Sequence, residues 1–430
     1  MGKLHERLAR QIPKLREETH SLVKSHGAAV VSEVTVAQVF GGMRGVKALV
    51  CDTSVVEPDR GLIVRGIPIS DLTHQLPEEV FYLLLTGELP GAQELASLQE
   101  ELRQRAQVPS YVWDVLRALP RDSHPMTMFS TAILAMERES VFRKRYTDGL
   151  HKDEYWEATL DDALTLLARL PAIAAGTYRI HTGKGEPLPP NPKLDWGADY
   201  ASMLGLPDPA GEFKNFIRLY LTLHCDHEGG NVSAFTCHTV GSALSDPFYA
   251  VSAGMNGLAG PLHGLANQEC LHFVLGIREK YKGVPSDAQL SDYVWETLKD
   301  GRVIPGYGHA VLRVTDPRFA AFHEFGRRVC PNDEVFRIVD RLFQLTPGIL
   351  KEHGKSKDPW PNVDAGSGAL LYLFGLTEFE YYTVLFGVSR ALGMCAQLVL
   401  NRALGSPITR PKSVSTEWIL RTISTSARVA

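Results

Sequence analysis

The sequence predicts a mainly helical fold with minor β-structure near the N-terminus. Apolar residues recur at helical spacing between cap and stop signals, strand-like runs are few, and no G-x-G-x-x-G motif follows a strand. The 430 residues, 44% apolar and 22% charged, can bury a large core. This length predicts two or three domains, or a large domain with a smaller partner.

Composition excludes several classes of protein. With 45 Lys and Arg against 49 Asp and Glu, the net charge of −4 argues against binding nucleic acid through overall charge. The six cysteines form no Cys-x-x-Cys pair, as is typical of reduced thiols. The most apolar stretch, 381–400, is broken by Ser389, Arg390 and Gln397, so we expect no transmembrane helix.

The first 26 residues predict an amphipathic helix, which Pro13 interrupts and Gly27 ends. Its apolar residues recur near one face: Leu4, Leu8, Ile12, Leu15 and Leu22. The segment has no continuous apolar run of a secretory signal, and its glutamates argue against a transit peptide. We therefore expect a mature form without a targeting segment. Next, β-branched runs at 30–36, 49–56 and 61–69 predict a small sheet or hairpin.

Later helices are predicted from their caps and stops. A helix is predicted at 161–179, with Pro171 as a kink or break, and another opens at Asp246-Pro247 and ends near Asn256-Gly257. A third has the capping box Ser286/Gln289 and the stop Gly301. A long fourth helix is capped by Thr377/Glu380 and ends near Leu404.

Four segments place polar residues among glycines and prolines rather than in a helical pattern. They are 224–231, 260–267, 305–318 and 361–368. The spacing of His224, His227 and His238 would suit one helix face, but no H-E-x-x-H motif or carboxylate cluster accompanies them. Core packing or anion binding is therefore favoured over a metal, and we assign no metal ligand.

Three residues in these segments could perform acid–base chemistry. His263 precedes a helical pattern, where the helix dipole favours a neutral ring that can polarise a carbonyl. On this segment alone, a capping or loop-packing role is favoured. His309 follows two glycines that would expose it to a ligand, or it belongs to a structural turn. Asp364 could be a general base, a helix cap or a turn residue.

Arg390 is the least expected residue, because it lies in an apolar helix. A charge there needs an ion-pair partner or a bound anion. With Arg318 and Arg410 it could form a clamp for carboxylates. Such a clamp, two carbonyl-polarising histidines and one base form the set needed to join an enolised thioester to a keto acid.

These segments resemble the citrate synthase family, in its eukaryotic, mitochondrial type. The resemblance runs from about Leu4 to about Leu420 and is strongest at 224–231, 255–269, 301–318, 360–368, 381–397 and 410–413. It implies a citrate (Si)-synthase, a transferase that condenses acetyl-CoA with oxaloacetate and hydrolyses citryl-CoA to citrate and CoA. Asp364 would be the base, His263 would stabilise the enol or enolate, and His309 would polarise the oxaloacetate ketone.

The resemblance also implies how substrates bind. His227, Arg318, Arg390 and Arg410 would hold the carboxylates of oxaloacetate and citrate, with Arg410 reaching the site of the other subunit in a homodimer. Acetyl-CoA is a co-substrate, and no cofactor or metal is implied. The candidates for contacting CoA are Arg44, Arg179, Val303, Gly306, Gly308, Arg313 and Lys355.

The implied architecture is a discontinuous large helical domain, 1–263 and 373–430, with a small helical domain, 264–372, that closes over oxaloacetate. The implied location is the mitochondrial matrix, with no membrane or nucleic acid among the partners. Gly366 and Phe235 stand where many animal relatives have histidine. Two alternatives stay open: a 2-methylcitrate synthase that uses propionyl-CoA, and an inactive CoA-binding homologue. Propionyl-CoA differs from acetyl-CoA by one methylene, which is worth only about 1–3 kcal/mol of discrimination in a pocket. Sequence motifs therefore distinguish a 2-methylcitrate synthase from a citrate synthase poorly.

Overall fold

The computed structural model describes residues 2–426, which form nineteen α-helices, four short 3-10 helices and one three-stranded sheet. The predicted mainly helical class is confirmed. The helices before residue 260 are α1 (Lys3–His26), α2 (Val36–Phe40), α3 (Pro77–Thr86), α4 (Ala92–Arg105), α5 (Ser110–Ala118), α6 (Pro125–Ala135), α7 (Val141–Thr147), α8 (Tyr155–His181), α9 (Trp196–Leu204), α10 (Glu212–Leu223), α11 (Val232–Ser242) and α12 (Pro247–Leu258).

The remaining helices carry most of the predicted site. They are α13 (Ala266–Tyr281), α14 (Asp287–Lys299), α15 (Pro317–Val329), α16 (Glu334–His353), α17 (Asp364–Leu373), α18 (Tyr382–Ala403) and α19 (Thr416–Ser426). The 3-10 helices are Ile69–Leu72, Met136–Glu139, Lys152–Glu154 and Phe379–Tyr381.

The small sheet lies near the N-terminus, as predicted, but it is shorter. Strands β1 (Ser54–Glu57), β2 (Gly61–Val64) and β3 (Ile67–Pro68) are antiparallel in the order β1-β2-β3, with Val56 opposite Leu62. The predicted strand at 30–36 is wrong, because its valines are solvent-exposed and 30–35 has no regular structure. A β-branched run forms a strand only where a neighbouring strand pairs with it.

The predicted interruption at Pro13 is wrong, because α1 runs through it. Helix α8 is likewise continuous through Pro171, so a break there is wrong, whereas a kink stays a prediction. The cap predictions hold better. Asp246 accepts the N–H groups of Phe248 and Tyr249 at 2.9 and 3.1 Å, and α12 extends just past the predicted end. The Ser286 capping box opens α14 as predicted.

Helix α18 is the centre of the fold and packs against α3, α8, α10, α11 and α12. Among the described residues, the segment Phe379–Ala403 alone has the length and apolar character to cross a membrane, and 94% of its most apolar window is buried inside the protein. It is a core helix. The predicted Thr377 cap is wrong, because the 3-10 helix Phe379–Tyr381 precedes α18 and Glu378 stands at its N-cap. Glu378 forms no capping hydrogen bond and accepts hydrogen bonds from Tyr178 and Lys184.

Helices α13–α17 pack largely against one another: α17 contacts α13, α15 and α16, and α14 contacts α16. They fall almost wholly within the predicted small domain, whose boundaries stay a prediction. At its first residue, Gly264, an added Cβ would lie 2.7 Å from the Thr383 methyl group. The carbonyl of Gly264 also accepts a hydrogen bond from the Thr383 hydroxyl at 3.1 Å. The chain therefore leaves α12 in close contact with α18.

Candidate active site

The predicted polar segments converge beside the middle of α18. His227 follows α10, His263 lies between α12 and α13, and His309 lies between α14 and α15. Arg318, Asp364 and Arg390 lie in α15, α17 and α18. The rings of His227 and His309 have centroids 5.9 Å apart. The charges of Arg318 and Arg390 both act on Asp364, and that of Arg390 acts on His263, so these residues share one site.

Arg390 is 2% exposed and forms no salt bridge with any described residue. Its Nε donates to the carbonyl of His224 at 3.2 Å, and its guanidinium lies 4.8 Å from the ring centre of Phe386. Burial lowers the pKa of Arg390 to about 10, so it still carries its charge at neutral pH. A buried guanidinium without a carboxylate partner is suited to binding an anion.

Arg318 is buried too, but it already has a partner. Its Nε and Nη2 donate to the two oxygens of Asp316 at 3.1 and 2.7 Å. Asp316 also caps α15 by accepting the N–H of Arg318 at 2.9 Å. The bidentate pair fixes the direction of the guanidinium and leaves Nη1 free of Asp316. Asp316 is the most important residue that the sequence reasoning did not assign; its signal was the cap sequence Asp-Pro-Arg.

The hydrogen bonds of His309 define its tautomer. The backbone N–H groups of Val311 and Leu312 both donate to Nδ1, each at 3.0 Å. A nitrogen that accepts two N–H groups carries no proton, so the proton of the neutral ring is on Nε2. Burial and the charge of Arg318 lower the pKa of His309, which keeps the ring neutral. Nε2–H is therefore available as a hydrogen-bond donor.

His263 has the complementary arrangement. The backbone N–H of Ser233 donates to its Nε2 at 3.3 Å, and the Ser233 hydroxyl lies 3.1 Å from the same nitrogen. The proton of the neutral ring is then on Nδ1. Burial, and then the charge of Arg390, lower the pKa of His263 to about 4. The predicted neutral state agrees with this direction, but these two causes, rather than the helix dipole, account for it.

His227 is positioned by a segment that is itself tightly bound. The carboxylate of neighbouring Asp226 is buried and accepts hydrogen bonds from Ser54 and Gln397, each at 2.9 Å, and from Thr53. Glu228, whose φ is 60°, accepts the N–H of Val56 at 2.7 Å. Strand β1 thus fixes the loop that carries His227. Burial, with the charges of Arg318 and Arg390, lowers the pKa of His227 well below its ordinary value.

Asp364 is the first residue of α17. Its N–H donates to Asn362 Oδ1 at 3.0 Å, and Asn362 Nδ2 donates to the Gly308 carbonyl at 3.0 Å. These bonds join the loops of Asp364 and His309. Burial raises the pKa of Asp364 to about 6, although Arg318 and Arg390 oppose the shift. The carboxylate is therefore ionised at neutral pH and more basic than an exposed aspartate.

The seven CoA candidates fall into two groups. Four lie on the loop of His309: Val303, Gly306, Gly308 and Arg313. Gly306 has φ +80°, and a Cβ there would lie 2.7 Å from the Cα of Ala365, so only glycine allows this approach to α17. Val303 is 79% exposed, whereas Arg313 donates to carbonyl groups of its own loop.

The other three candidates lie apart from the cluster. Arg179 at the end of α8 donates to the carbonyls of Lys184 and Glu186, each at 2.7 Å, while Arg44 and Lys355 are exposed. Arg410 is exposed beyond α18, and the structure does not bring it to the site of its own chain. No finding tests the roles of these residues in binding, and they stay predictions.

His224 and His238, the two other histidines considered for a metal site, have structural contacts. His224 is 1% exposed, stacks 4.2 Å from Tyr220 and has Nδ1 3.0 Å from the Tyr220 carbonyl. His238 lies between Asn401 and Thr409, at 2.9 and 2.8 Å. The described residues contain no group of three or more His, Cys, Asp or Glu arranged to hold a metal ion. Their six cysteines are all free thiols, as predicted.

The two positions at which the resemblance would place histidine lie outside this cluster. Gly366 is buried in α17, where an added Cβ would lie 3.3 Å from the ring of Phe319. Phe235 is 39% exposed on α11. A histidine at 366 would require Phe319 to move, so the difference concerns packing behind Asp364.

A helical fold that gathers buried arginines, neutral histidines and one basic carboxylate defines an enzyme for acid–base chemistry on an anionic substrate. The family model described as "Citrate synthase, C-terminal domain" matches residues 42–412. A probable mitochondrial citrate synthase of Glossina morsitans morsitans is 49% identical over 98% of this chain and 92% of its own. The mitochondrial citrate synthase of Saccharomyces cerevisiae is 48% identical over 96% of this chain and 88% of its own.

Solved structures show the same fold. Citrate synthase from Pyrobaculum aerophilum has a TM-score of 0.79 and 30% identity, covering 90% of this chain and 95% of its own. Citrate synthase from Thermoplasma acidophilum, in a ternary complex with carboxymethyl coenzyme A and oxaloacetate, has a TM-score of 0.75 and 23% identity over 90% of this chain and 97% of its own.

The chain belongs to the citrate synthase family. Its activity is that of a citrate synthase, a transferase that acts on acyl groups and serves the tricarboxylic acid cycle. The mitochondrial names of the relatives confirm the expected mitochondrial location.

The raised pKa of Asp364 predicts a pH-dependent stability cost. The folded protein keeps this proton up to a pKa of about 6, whereas the ordinary value is 3.8, so ionisation destabilises the fold as pH rises between them. Asp364→Asn should therefore gain up to about 3 kcal/mol over the wild type above pH 7 and nothing below pH 4. Denaturant midpoints at both pH values test this. An equal gain at both would contradict the assigned cause.

Proposed function

We propose that Asp364, His263 and His309 catalyse the condensation of acetyl-CoA with oxaloacetate, followed by hydrolysis of citryl-CoA to citrate and CoA. The observation that carries this proposal is the unpaired, buried charge of Arg390 beside a basic carboxylate and a neutral histidine. The Thermoplasma relative, whose complex contains oxaloacetate and a CoA analogue, supports the substrate classes.

In the first step Asp364 takes a proton from the methyl group of acetyl-CoA. His263 donates Nδ1–H to the thioester oxygen, which becomes the enol or enolate oxygen. Such a carbon acid is weak, so a preorganised donor at the developing charge matters as much as the base; one donor is worth roughly 10²–10³ in rate. The lowered pKa of His263 suits this role, because a neutral ring matches the weakly acidic enol.

In the second step the enol carbon attacks the ketone of oxaloacetate. His309 donates Nε2–H to the ketone oxygen. The carboxylates are held by His227, Arg318, Arg390 and Arg410 of the partner subunit. Water then attacks the thioester of citryl-CoA and releases citrate and CoA. Arginines supply the positive charge that the carboxylates need, so the proposal includes no metal and no cofactor.

We also propose that the loop of Val303, Gly306 and Gly308 contacts the pantetheine and adenine of CoA. Arg44, Arg179, Arg313 and Lys355 are the candidates for binding its phosphates. Closure of the domain 264–372 over oxaloacetate would exclude water until the carbon–carbon bond forms. The hydrogen bonds between the loops of Gly308 and Asn362 favour this, because they make the two loops move together.

We propose a homodimer because apolar side chains are exposed in two regions of the surface. Val30, Val31, Phe40 and Val50 before β1 are 66–83% exposed, and Ile408, Trp418 and Leu420 near the other end are 49–60% exposed. Exposed apolar patches of this kind mark interfaces. Arg410 lies in the second of these regions, which suits a residue that enters the partner's site.

Free thiol release tests the activity directly. Oxaloacetate-dependent release from acetyl-CoA, with propionyl-CoA much slower, is the expected result. Comparable or faster release from propionyl-CoA would identify a 2-methylcitrate synthase. No release by folded protein that still binds oxaloacetate would identify an inactive homologue and contradict the proposal.

The role of Asp364 predicts a large kinetic effect. Asp364→Asn should lower kcat at least about 100-fold, because a positioned base contributes roughly 10²–10⁴ in rate, while oxaloacetate binding is retained. In the wild type, kcat should fall as pH drops through about 6, since the base becomes protonated. Asp114→Asn, at an exposed carboxylate, is the matched control. A normal rate in Asp364→Asn would refute the base assignment.

Shared sites predict complementation between inactive subunits. Arg410→Ala and Asp364→Ala homodimers should each be nearly inactive. In a mixed dimer, one site would combine an intact Asp364 with an intact Arg410 from the other subunit, so activity should reappear. The measurement is turnover of purified, doubly tagged heterodimers. Absence of rescue in demonstrated heterodimers would show that Arg410 acts within its own chain.

A further inference from the structure

A second cationic pocket lies at the far end of α18, away from the catalytic cluster. It has a volume of about 450 Å³, within the range of ligand sites, and is formed by the end of α11, the start of α8 and the segment after α18. Its polar lining residues are Lys152, Tyr155, Ser242, Asn401, Arg402 and Ser406, and its lining contains no Asp or Glu among the described residues.

Arg402 is the unusual residue of this pocket. It is 6% exposed, and its buried Nε has no hydrogen-bond partner in the described structure. Its Nη2 donates to the Ser245 carbonyl at 2.8 Å, and its guanidinium lies 4.9 Å from the ring centre of Phe142, so its position is fixed. Because Nε is closed off from solvent, the donor left for a ligand in the pocket is Nη1, for which the described structure shows no hydrogen bond.

The electrostatics of the pocket favour an anion. Neither Arg402 nor Lys152 forms a salt bridge with a described residue. The Lys152 ammonium group lies beside Gly405, 3.7 Å from where a Cβ on that glycine would be. The carboxylate that most affects Arg402 is Asp246, which is occupied by the N–H groups of Phe248 and Tyr249. Burial lowers the pKa of Arg402 only to about 10, so the pocket holds two positive charges at neutral pH.

We propose that this pocket binds a small di- or trianion through Arg402 and Lys152, with phosphate or carboxylate groups as the recognised chemistry. The Nη1 donor of Arg402, the exposed ammonium group of Lys152 and the neighbouring hydroxyl and amide groups match such a ligand.

The pocket is placed to affect the catalytic site. Ser406, Pro407 and Ile408 line it, and Thr409 is held to His238 and Ser242 at 2.8 and 2.9 Å. Arg410 follows directly. A bound anion would therefore fix the segment that presents Arg410, and oxaloacetate binding in the partner subunit would tighten. This coupling rests on the proposed function of Arg410, whereas the anion site does not.

Calorimetric titration of the full-length protein tests the site, with oxaloacetate at saturation so that the arginine clamp is occupied. The probes are pyrophosphate and tricarballylate. Binding of either is expected, weakened about tenfold or more by Arg402→Gln and several-fold by Lys152→Gln, because each removes a charge-assisted contact. Binding of pyrophosphate alone identifies a phosphate site, and binding of tricarballylate alone identifies a carboxylate site. Lys193→Gln, at an exposed lysine outside the pocket, should leave binding unchanged.

No binding of either probe would overturn the proposal, as would binding that neither Arg402→Gln nor Lys152→Gln weakens. If Arg402→Gln does not fold, Lys152→Glu decides: its exposed position makes folding safe, and an inverted charge should abolish binding. The KM for oxaloacetate tests the coupling between the two sites independently of anion binding. A bound probe that lowers this KM in the wild type but not in Lys152→Gln supports the coupling. An unchanged KM refutes the coupling and leaves the anion site standing.

Discussion

The structure depends on the burial of one positive charge, that of Arg390, in its most apolar helix. Removing a guanidinium from water is costly unless it is paired, and the described chain offers it only the His224 carbonyl and the face of Phe386. The nearby carboxylate of Asp226 is held by Thr53, Ser54 and Gln397 instead. The charge is thus only partly compensated by its surroundings, which suits a site for an anion.

The protonation states of the site follow from this arrangement. The positive charges of Arg318 and Arg390, together with burial, keep His227, His263 and His309 neutral, so that each can donate one hydrogen bond without carrying charge. The same arginines stabilise ionised Asp364, whereas burial opposes ionisation, and the balance sets a pKa of about 6. A group with this pKa is roughly 90% ionised at pH 7 and yet remains a stronger base than an exposed aspartate.

Local signals predicted the elements whose stability is local. The caps at Asp246 and Ser286 opened helices as expected, because a side-chain oxygen beside unpaired N–H groups acts within one turn. The valines at 30–36 and the supposed Thr377 cap failed, because their structure depends on partners distant in sequence. The polar segments of the candidate site were predicted from their glycines and prolines. Asp316 and Ser233 were not assigned, because their contacts appear only when α15 and α11 are placed against the histidines.

Oxaloacetate titration of Arg390→Gln tests the central claim most directly. Arg328→Gln, at a surface arginine paired with Glu212, is the control. We expect oxaloacetate affinity to fall at least about 30-fold, as for loss of a buried charge contact worth about 2–5 kcal/mol. Unchanged oxaloacetate affinity in folded Arg390→Gln protein would contradict the account.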